Sequence, residues 1–257
     1  STSVLIIDPV TQTADVTTIT GLTGEGGKWQ GGVLGPDGKI YGIPGDSDSV
    51  LIIDPVTQTA DVTTITGLTG LEGSAKWQGG VLGPDGKIYG IPFNSTSVLI
   101  IDPVTQTADV TTITGLTGMM KWAGGVLGPD GKIYGIPFYD SDSVLIIDPV
   151  TQTADVTTIT GLEELGSWYG GVLGPDGKIY GIPDDSTSVL IIDPVTQTAD
   201  VTTITGLTGY EKWRGGVLGP DGRIYGIPYG SDSVLIISPG MPTMPIEPLL
   251  SPYLNKF

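Results

Sequence analysis

A tryptophan recurs once in every repeat of this chain, at Trp29, Trp77, Trp122, Trp168 and Trp213, always followed by one variable residue and two glycines. Indoles set around an opening stack sugars or cations. Packing between neighbouring units is the other reading, because the tryptophan is invariant while its neighbours vary. Carboxylates gather in the fourth repeat, where Glu163, Glu164, Asp184 and Asp185 accompany Trp168 and Tyr169. Paired carboxylates are the equipment of glycoside hydrolysis, although adjacent acids on loops also serve solubility alone. Asp46-Ser47-Asp48 and Asp140-Ser141-Asp142 resemble fragments of calcium loops, in which alternate oxygens face one ion. Neither has the glycine or the distal bidentate glutamate of such a loop, so a solvated turn competes with a metal site. Tyr210, Tyr229, Phe93, Phe138, Tyr139, Met119 and Met120 lie in the same variable loops. They supply apolar area for a binding patch or for packing of the longer loops.

Composition removes much other chemistry. The 257 residues include no cysteine and no histidine. Disulfides, thiolate nucleophiles, serine–histidine catalysis and the commonest zinc and iron ligands are thereby excluded. No phosphate-cradling glycine loop occurs, and no cofactor is expected. A net charge of −17, from 28 acids against 11 bases, argues against nucleic acid and anionic membranes as partners. The sequence holds no apolar run long enough for a membrane helix. STSVLIID at the N-terminus reads as a strand, not a signal peptide.

The elements that position these residues come from five near-verbatim repeats. Val4, Val50, Val98, Val144, Val189 and Val234 mark the recurring start, at spacings of 46, 48, 46, 45 and 45. Each unit reads SVLIIDPVTQTADVTTITGL, a loop, W-x-GGVLGPDGKIYGIP, and a second loop. Pro36-Asp37-Gly38 supplies turn chemistry between two strands. The runs Val4–Ile7 and Ile40–Ile43 are apolar at successive positions, as suits strands covered on both faces. ADVTTIT alternates and is Thr-rich, as suits a solvated outer strand. Periods of this length with several short strands point to a closed ring of blades or a solenoid.

The stretch GGVLGPDGKIYGIP–loop–SVLIIDPVTQTADVTTI resembles the blades of WD-repeat, NHL and YVTN-type β-propellers. The Trp-Asp dipeptide and partner histidine of true WD repeats are missing. The resemblance covers residues 1–237 and implies the strand order, with the P-D-G stretch innermost and IIDP third. The expected fold is all-β: a five-bladed propeller with four antiparallel strands per blade. Its inner strands should begin near Gly32, Gly80, Gly125, Gly171 and Gly216. The third-strand motif occurs six times, so either Val4–Ile7 or Val234–Ile237 is surplus; the ends should close the ring as a clasp within one blade. Residues 238–257 form a Pro-rich tail, expected to strap the constant face.

In this strand order the constant turns share one face and both variable loops share the other. The invariant segments carry a net charge of −10 and the variable loops −7. Strands that are identical in every copy, apart from Arg223 in place of lysine, suggest a consensus or symmetry-engineered scaffold; a recent natural expansion gives the same pattern. The chain therefore reads as a non-enzymatic scaffold whose variable rim takes a small molecule, a cation or a protein. A lectin-like or calcium-assisted module and a hydrolase centred on the fourth blade are the alternatives. A monomer is expected, with a swapped oligomer as the variant that the surplus strand suggests.

Overall fold

The computed structural model describes residues 1–24, 26–69, 74–162 and 167–240. It contains twenty-one short strands among these residues and no helix. Four sheets have four antiparallel strands each. The first runs β3 (Trp29–Leu34), β4 (Ile40–Pro44), β5 (Leu51–Asp54) and β6 (Thr59–Asp61). The pattern repeats as β7 (Trp77–Leu82) to β10 (Thr107–Asp109), β11 (Trp122–Leu127) to β14 (Thr153–Asp155), and β15 (Trp168–Leu173) to β18 (Thr198–Asp200). A fifth sheet has three strands: β19 (Trp213–Leu218), β20 (Ile224–Pro228) and β21 (Leu235–Ile237). The sheets are the blades of a β-propeller, set in a ring with their first strands innermost.

Each blade is folded by the same local chemistry. Gly35 N–H donates to Lys39 O at 2.8 Å, closing the Pro-Asp-Gly turn. The Tyr41 hydroxyl donates to Asp37 Oδ2 at 2.9 Å, and the tyrosine ring lies so close to Gly35 that a Cβ there would sit 2.8 Å from it. In the next turn Asp8 accepts the amides of Val10 and Thr11, and Gln12 takes a left-handed φ of 55°. Four later aspartates and glutamines repeat that arrangement.

Two sequence expectations on strand limits are corrected. The inner strands begin at tryptophan, ahead of the expected glycine, because a β-bulge intervenes. Trp29 faces Pro44 and Gly32 faces Gly42, three residues against two, with Gly31 at φ 83°. The outer strand, conversely, stops after Thr13–Asp15. Asp15 Oδ1 accepts the Thr17 and Thr18 amides, at 2.6 and 3.2 Å, and takes the Thr17 hydroxyl too; its Oδ2 takes the Thr18 hydroxyl. That capture turns the chain out of the sheet, in competition with ladder pairing.

The joints between blades are apolar. Ile43 of the first blade fills the space over Gly80 of the second; a Cβ on Gly80 would lie 2.7 Å from it. Ile91 over Gly125, Ile136 over Gly171 and Ile182 over Gly216 repeat the contact. Tyr41, Ile43, Val50 and Ile52 share one cluster with Trp77, Ile88, Leu99 and Ile101 of the next blade. At about 1.5–3 kcal/mol per fully buried aliphatic side chain, these joints are the main source of cohesion.

The terminal clasp is not formed. The fifth blade takes its third strand from β21, with Gly226 opposite Leu235. The first segment makes a separate two-stranded sheet of β1 (Ile6–Asp8) and β2 (Thr13–Asp15). With β21 in place there is no room for β1 beside β20, so the ends lie in different sheets. The tail strap falls almost wholly on residues 241–257, outside the described residues.

Candidate functional site

Both variable loops of each repeat lie at the same end of the antiparallel sheets, because the two constant turns take the other end. Two positions per blade stand at the inner edge of this rim: the residue after tryptophan and the residue after Ile-Pro. In the first blade they are Gln30 and Gly45; in the second, Gln78 and Phe93. From the third to the fifth they are Ala123 and Phe138, Tyr169 and Asp184, and Arg214 and Tyr229. Chemistry is thus concentrated on one arc of the rim.

The arc is continuous. Phe93 and Phe138 have ring centroids 5.5 Å apart, and Phe138 meets Tyr169 edge to face at 5.7 Å. The Arg214 guanidinium lies 5.1 Å from the Tyr169 centroid and 3.7 Å from that of Tyr229. It is held flat by its own bonds: Nε donates to Asp184 Oδ1 at 3.1 Å, and NH2 donates to Glu211 Oε1 at 3.0 Å. Planar stacking combined with fixed donors is what arginine, and not lysine, provides. Asp184 is fully buried, and its Oδ2 has no hydrogen-bond partner. Burial pushes its carboxyl above the ordinary carboxylate range, and the Arg214 hydrogen bond opposes that shift. Close by, Asp185 accepts the Glu211 amide at 2.6 Å and the Tyr139 hydroxyl. The same carboxylate pushes Tyr139 up to about 12. Tyr139 and Tyr229 are exposed, so the arc presents aromatic faces to solvent beside an ion-paired acid.

The tryptophans are not part of this arc. Four are buried and Trp29 is half-buried. Every indole N–H donates across its blade to a serine carbonyl, from Trp29 to Ser49 at 2.9 Å through Trp213 to Ser233 at 2.7 Å. They are wedges with satisfied polar atoms, and the four buried ones offer no free face for stacking. The lysine before the indole completes the wedge. Lys121 Nζ donates to three carbonyls, of Phe93, Ser95 and Gly118, at 3.1, 3.0 and 2.8 Å, and lies 5.7 Å from its neighbouring indole. Burial lowers Lys121 to about 8, and the negative charge of Asp140 opposes that shift. The fourth repeat replaces this lysine with Ser167, whose hydroxyl is buried without a partner.

The proposed calcium fragments have structural duties instead. Asp46 accepts the Ala75 amide at 2.6 Å and the Gly27 amide at 3.1 Å. Asn94 takes the Met120 amide in the same way, and Asp185 the Glu211 amide. In each pair the residue donating its amide, Ala75, Met120 or Glu211, sits at positive φ. This side chain is therefore a bracket that holds the next blade's loop. Asp48 pairs with Lys76 at 3.9 Å, Asp140 donates its amide to Met120 O, and Asp142 O accepts the Leu162 amide. Among the described residues no three acids converge as metal ligands. Glu163 and Glu164 lie outside the described residues, so of the four carboxylates only Asp184 and Asp185 are described. Tyr210 is exposed and does not join the aromatic arc.

Arg214 is not among the acids, aromatics and methionines that the sequence singles out. Its signal was available: it is the only base at the variable position after tryptophan, one repeat beyond the aspartate that it binds.

Residues 32–175 match a family model described as a repeat of unknown function, DUF6923. The sequence matches no curated protein. Among solved structures, the chain is similar to hydrazine synthase of Kuenenia stuttgartiensis, at 19% identity and a TM-score of 0.62, covering 86% of this chain and 66% of that one. A catalytically inactive virginiamycin B lyase from Staphylococcus aureus, determined with quinupristin, gives 12% identity and a TM-score of 0.71 over 93% of this chain and 76% of the other. An auxiliary nutrient binding protein from Bacteroides ovatus gives 14% and 0.57, over 82% and 55%. At these identities the likeness is one of fold. The chain spans between about half and three quarters of the lengths of these neighbours.

Proposed function

We propose, for a chain that belongs to the DUF6923 family of repeats of unknown function, a non-enzymatic binding role in which the variable rim of the third to fifth blades takes a small polyhydroxylated ligand. The observation that carries this reading is the pairing of solvent-facing Tyr139 and Tyr229 with the fixed Arg214–Asp184 ion pair. Aromatic faces flanked by a few oriented charged donors and acceptors are the usual means of holding sugar rings. Asp185 and Glu211 add acceptors within the same loops. Invariant strands beneath divergent loops fit a scaffold of consensus or engineered origin, in which recognition is confined to the rim.

Hydrolysis is disfavoured by the state of the two described acids. Asp184 is fully buried and paired with Arg214, out of reach of a glycosidic oxygen, and Asp185 is engaged by the Glu211 amide and the Tyr139 hydroxyl. The test is calorimetry of the protein against a panel of mono- and oligosaccharides. Binding at millimolar affinity or better should appear for at least one, and Tyr229→Ala should weaken it at least tenfold while the fold persists. Absence of binding across the panel, or binding indifferent to Tyr229→Ala, overturns the proposal. Turnover of a bound saccharide would do so equally.

A further inference from the structure

The five blades make four like joints, and a fifth is open. Lys76 N–H donates to Gly45 O, Lys121 N–H to Phe93 O and Lys212 N–H to Asp184 O, linking the first blade to the second, the second to the third and the fourth to the fifth. No such bond joins Lys28 to Tyr229. Gly31, Gly79, Gly124 and Gly170 each touch the glycine of the following blade, whereas nothing lies near Gly215.

Both sides of this open joint expose residues that are buried elsewhere. On the fifth blade, Ile227 is 49% exposed and Ile236 53%, against 0% and 9% for the corresponding Ile182 and Ile191. In the first segment, Leu5 just before β1 is 59% exposed and Ile7 on β1 65%, whereas their counterparts Leu99 and Ile101 are fully buried. Ile227 holds the place from which Ile182 packs on the next blade, and Leu5 and Ile7 match Leu235 and Ile237, which pack against the fourth blade. The strand inventory matches. β19 and β20 lack a fourth strand, and β2 is the one unused fourth strand, tied by its turn to the surplus third strand β1. An apolar groove of about 270 Å³, lined by Val4, Ile6, Ile19, Ile40 and Ile53 among others, runs between the hairpin β1–β2 and the first blade.

We infer that a second copy of this chain completes the open joint: the β1–β2 hairpin of one copy enters the fifth blade of another in place of that blade's β21. Gly226, now opposite Leu235, then stands opposite Leu5 of the incoming strand. Leu5 and Ile7 become buried against the fourth blade, while Ile227 and Val217 are covered by the first blade that follows the hairpin. The identity of SVLII in both strands makes the exchange neutral in side-chain packing, and the fourth strand and the new joint are its gain. The interface is heterologous, so each copy keeps one donor end and one acceptor end.

The test uses light scattering on the full chain. The unaltered protein should show concentration-dependent species at multiples of 26.6 kDa. Two double variants, Leu5→Asp with Ile7→Asp and Val217→Asp with Ile227→Asp, alter residues that are exposed in a single copy, so each should fold. Each alone should be monomeric. Mixed, they should form a capped dimer in one-to-one ratio, because one retains the acceptor end and the other the donor end. A protein that stays at 26.6 kDa at all concentrations means that the face is covered from within the chain, by its own hairpin or by residues 241–257, and overturns the proposal. Persistent self-association of either double variant, or failure of the mixture to pair, overturns it as well.

Discussion

Arg214 donates from Nε to Oδ1 of a wholly buried Asp184 at 3.1 Å, across the joint between the fourth and fifth blades. The bond makes a rim feature part of the fold, because the aspartate has no other side-chain partner for its charge. Replacing Arg214 with leucine leaves a buried carboxylate uncompensated, at a cost of roughly 3–5 kcal/mol. Burial raises the folded-state pKa of Asp184, so the strain of its charge is absent below the ordinary carboxylate range and grows as pH rises through the folded value. Urea denaturation of Arg214→Leu should therefore show a larger deficit at pH 7 than at pH 4. Asp184→Asn in the same background should recover part of the loss at pH 7.

The carboxylates that end the outer strands give the opposite sign. Threonine hydroxyls and amides hold Asp15, Asp61, Asp155 and Asp200 down at about 2, from an ordinary 3.8. A depressed folded pKa contributes stability that is present above the ordinary value and lost as pH falls through the folded one. Thermal melting should thus hold steady down to about pH 4 and decline from there toward pH 2. A melting temperature unchanged to pH 2 would show that these bonds contribute nothing.

Crowding at the ring's centre separates two kinds of glycine. Gly79 has φ 73°, and a Cβ there would lie 3.2 Å from Gly124 Cα, whereas Gly38 has φ 80° with nothing within 4 Å. Both alanine variants lose the ease of a left-handed backbone, worth about 1 kcal/mol. Only Gly79→Ala also forces two blades apart, so its denaturation midpoint should fall well below that of Gly38→Ala.

Tyrosine ionisation reports on the constant face. Tyr89 is buried and donates to Asp85 Oδ2 at 2.9 Å; burial first, and the carboxylate second, push its pKa far up. Tyr41, Tyr134 and Tyr180 shift upward for the same causes. An absorbance titration should leave these four protonated past pH 11 until the protein unfolds. Tyr89→Phe should remove one of them and cost about 1 kcal/mol, the typical net value of a hydrogen bond.

Much of the blade was legible in the sequence because its signals are local. Pro36-Asp37-Gly38 dictates a turn whatever surrounds it, and Val50-Leu51-Ile52-Ile53 is too apolar for anything but a strand covered on both faces. The outer strand was misjudged because Thr-rich alternation resembles a strand until Asp15 is seen to capture Thr17 and Thr18. The bulge at Gly31 was hidden because two adjacent glycines do not say which one leaves the ladder.

Sequence alone determined the repeating unit, its strands and its turns, since these follow from turn chemistry and hydrophobic pattern within some 46 residues, while the strand order, and with it the single variable rim, was implied by the resemblance to propeller blades. Tertiary structure decided the rest. Only the joining of blades brings Arg214 to Asp184, 30 residues away, and seats Tyr229 on the guanidinium. Two identical strands compete for one place beside β20, and no local signal ranks them. Which is used depends on how the blades meet around the axis, a long-range property that SVLII cannot encode.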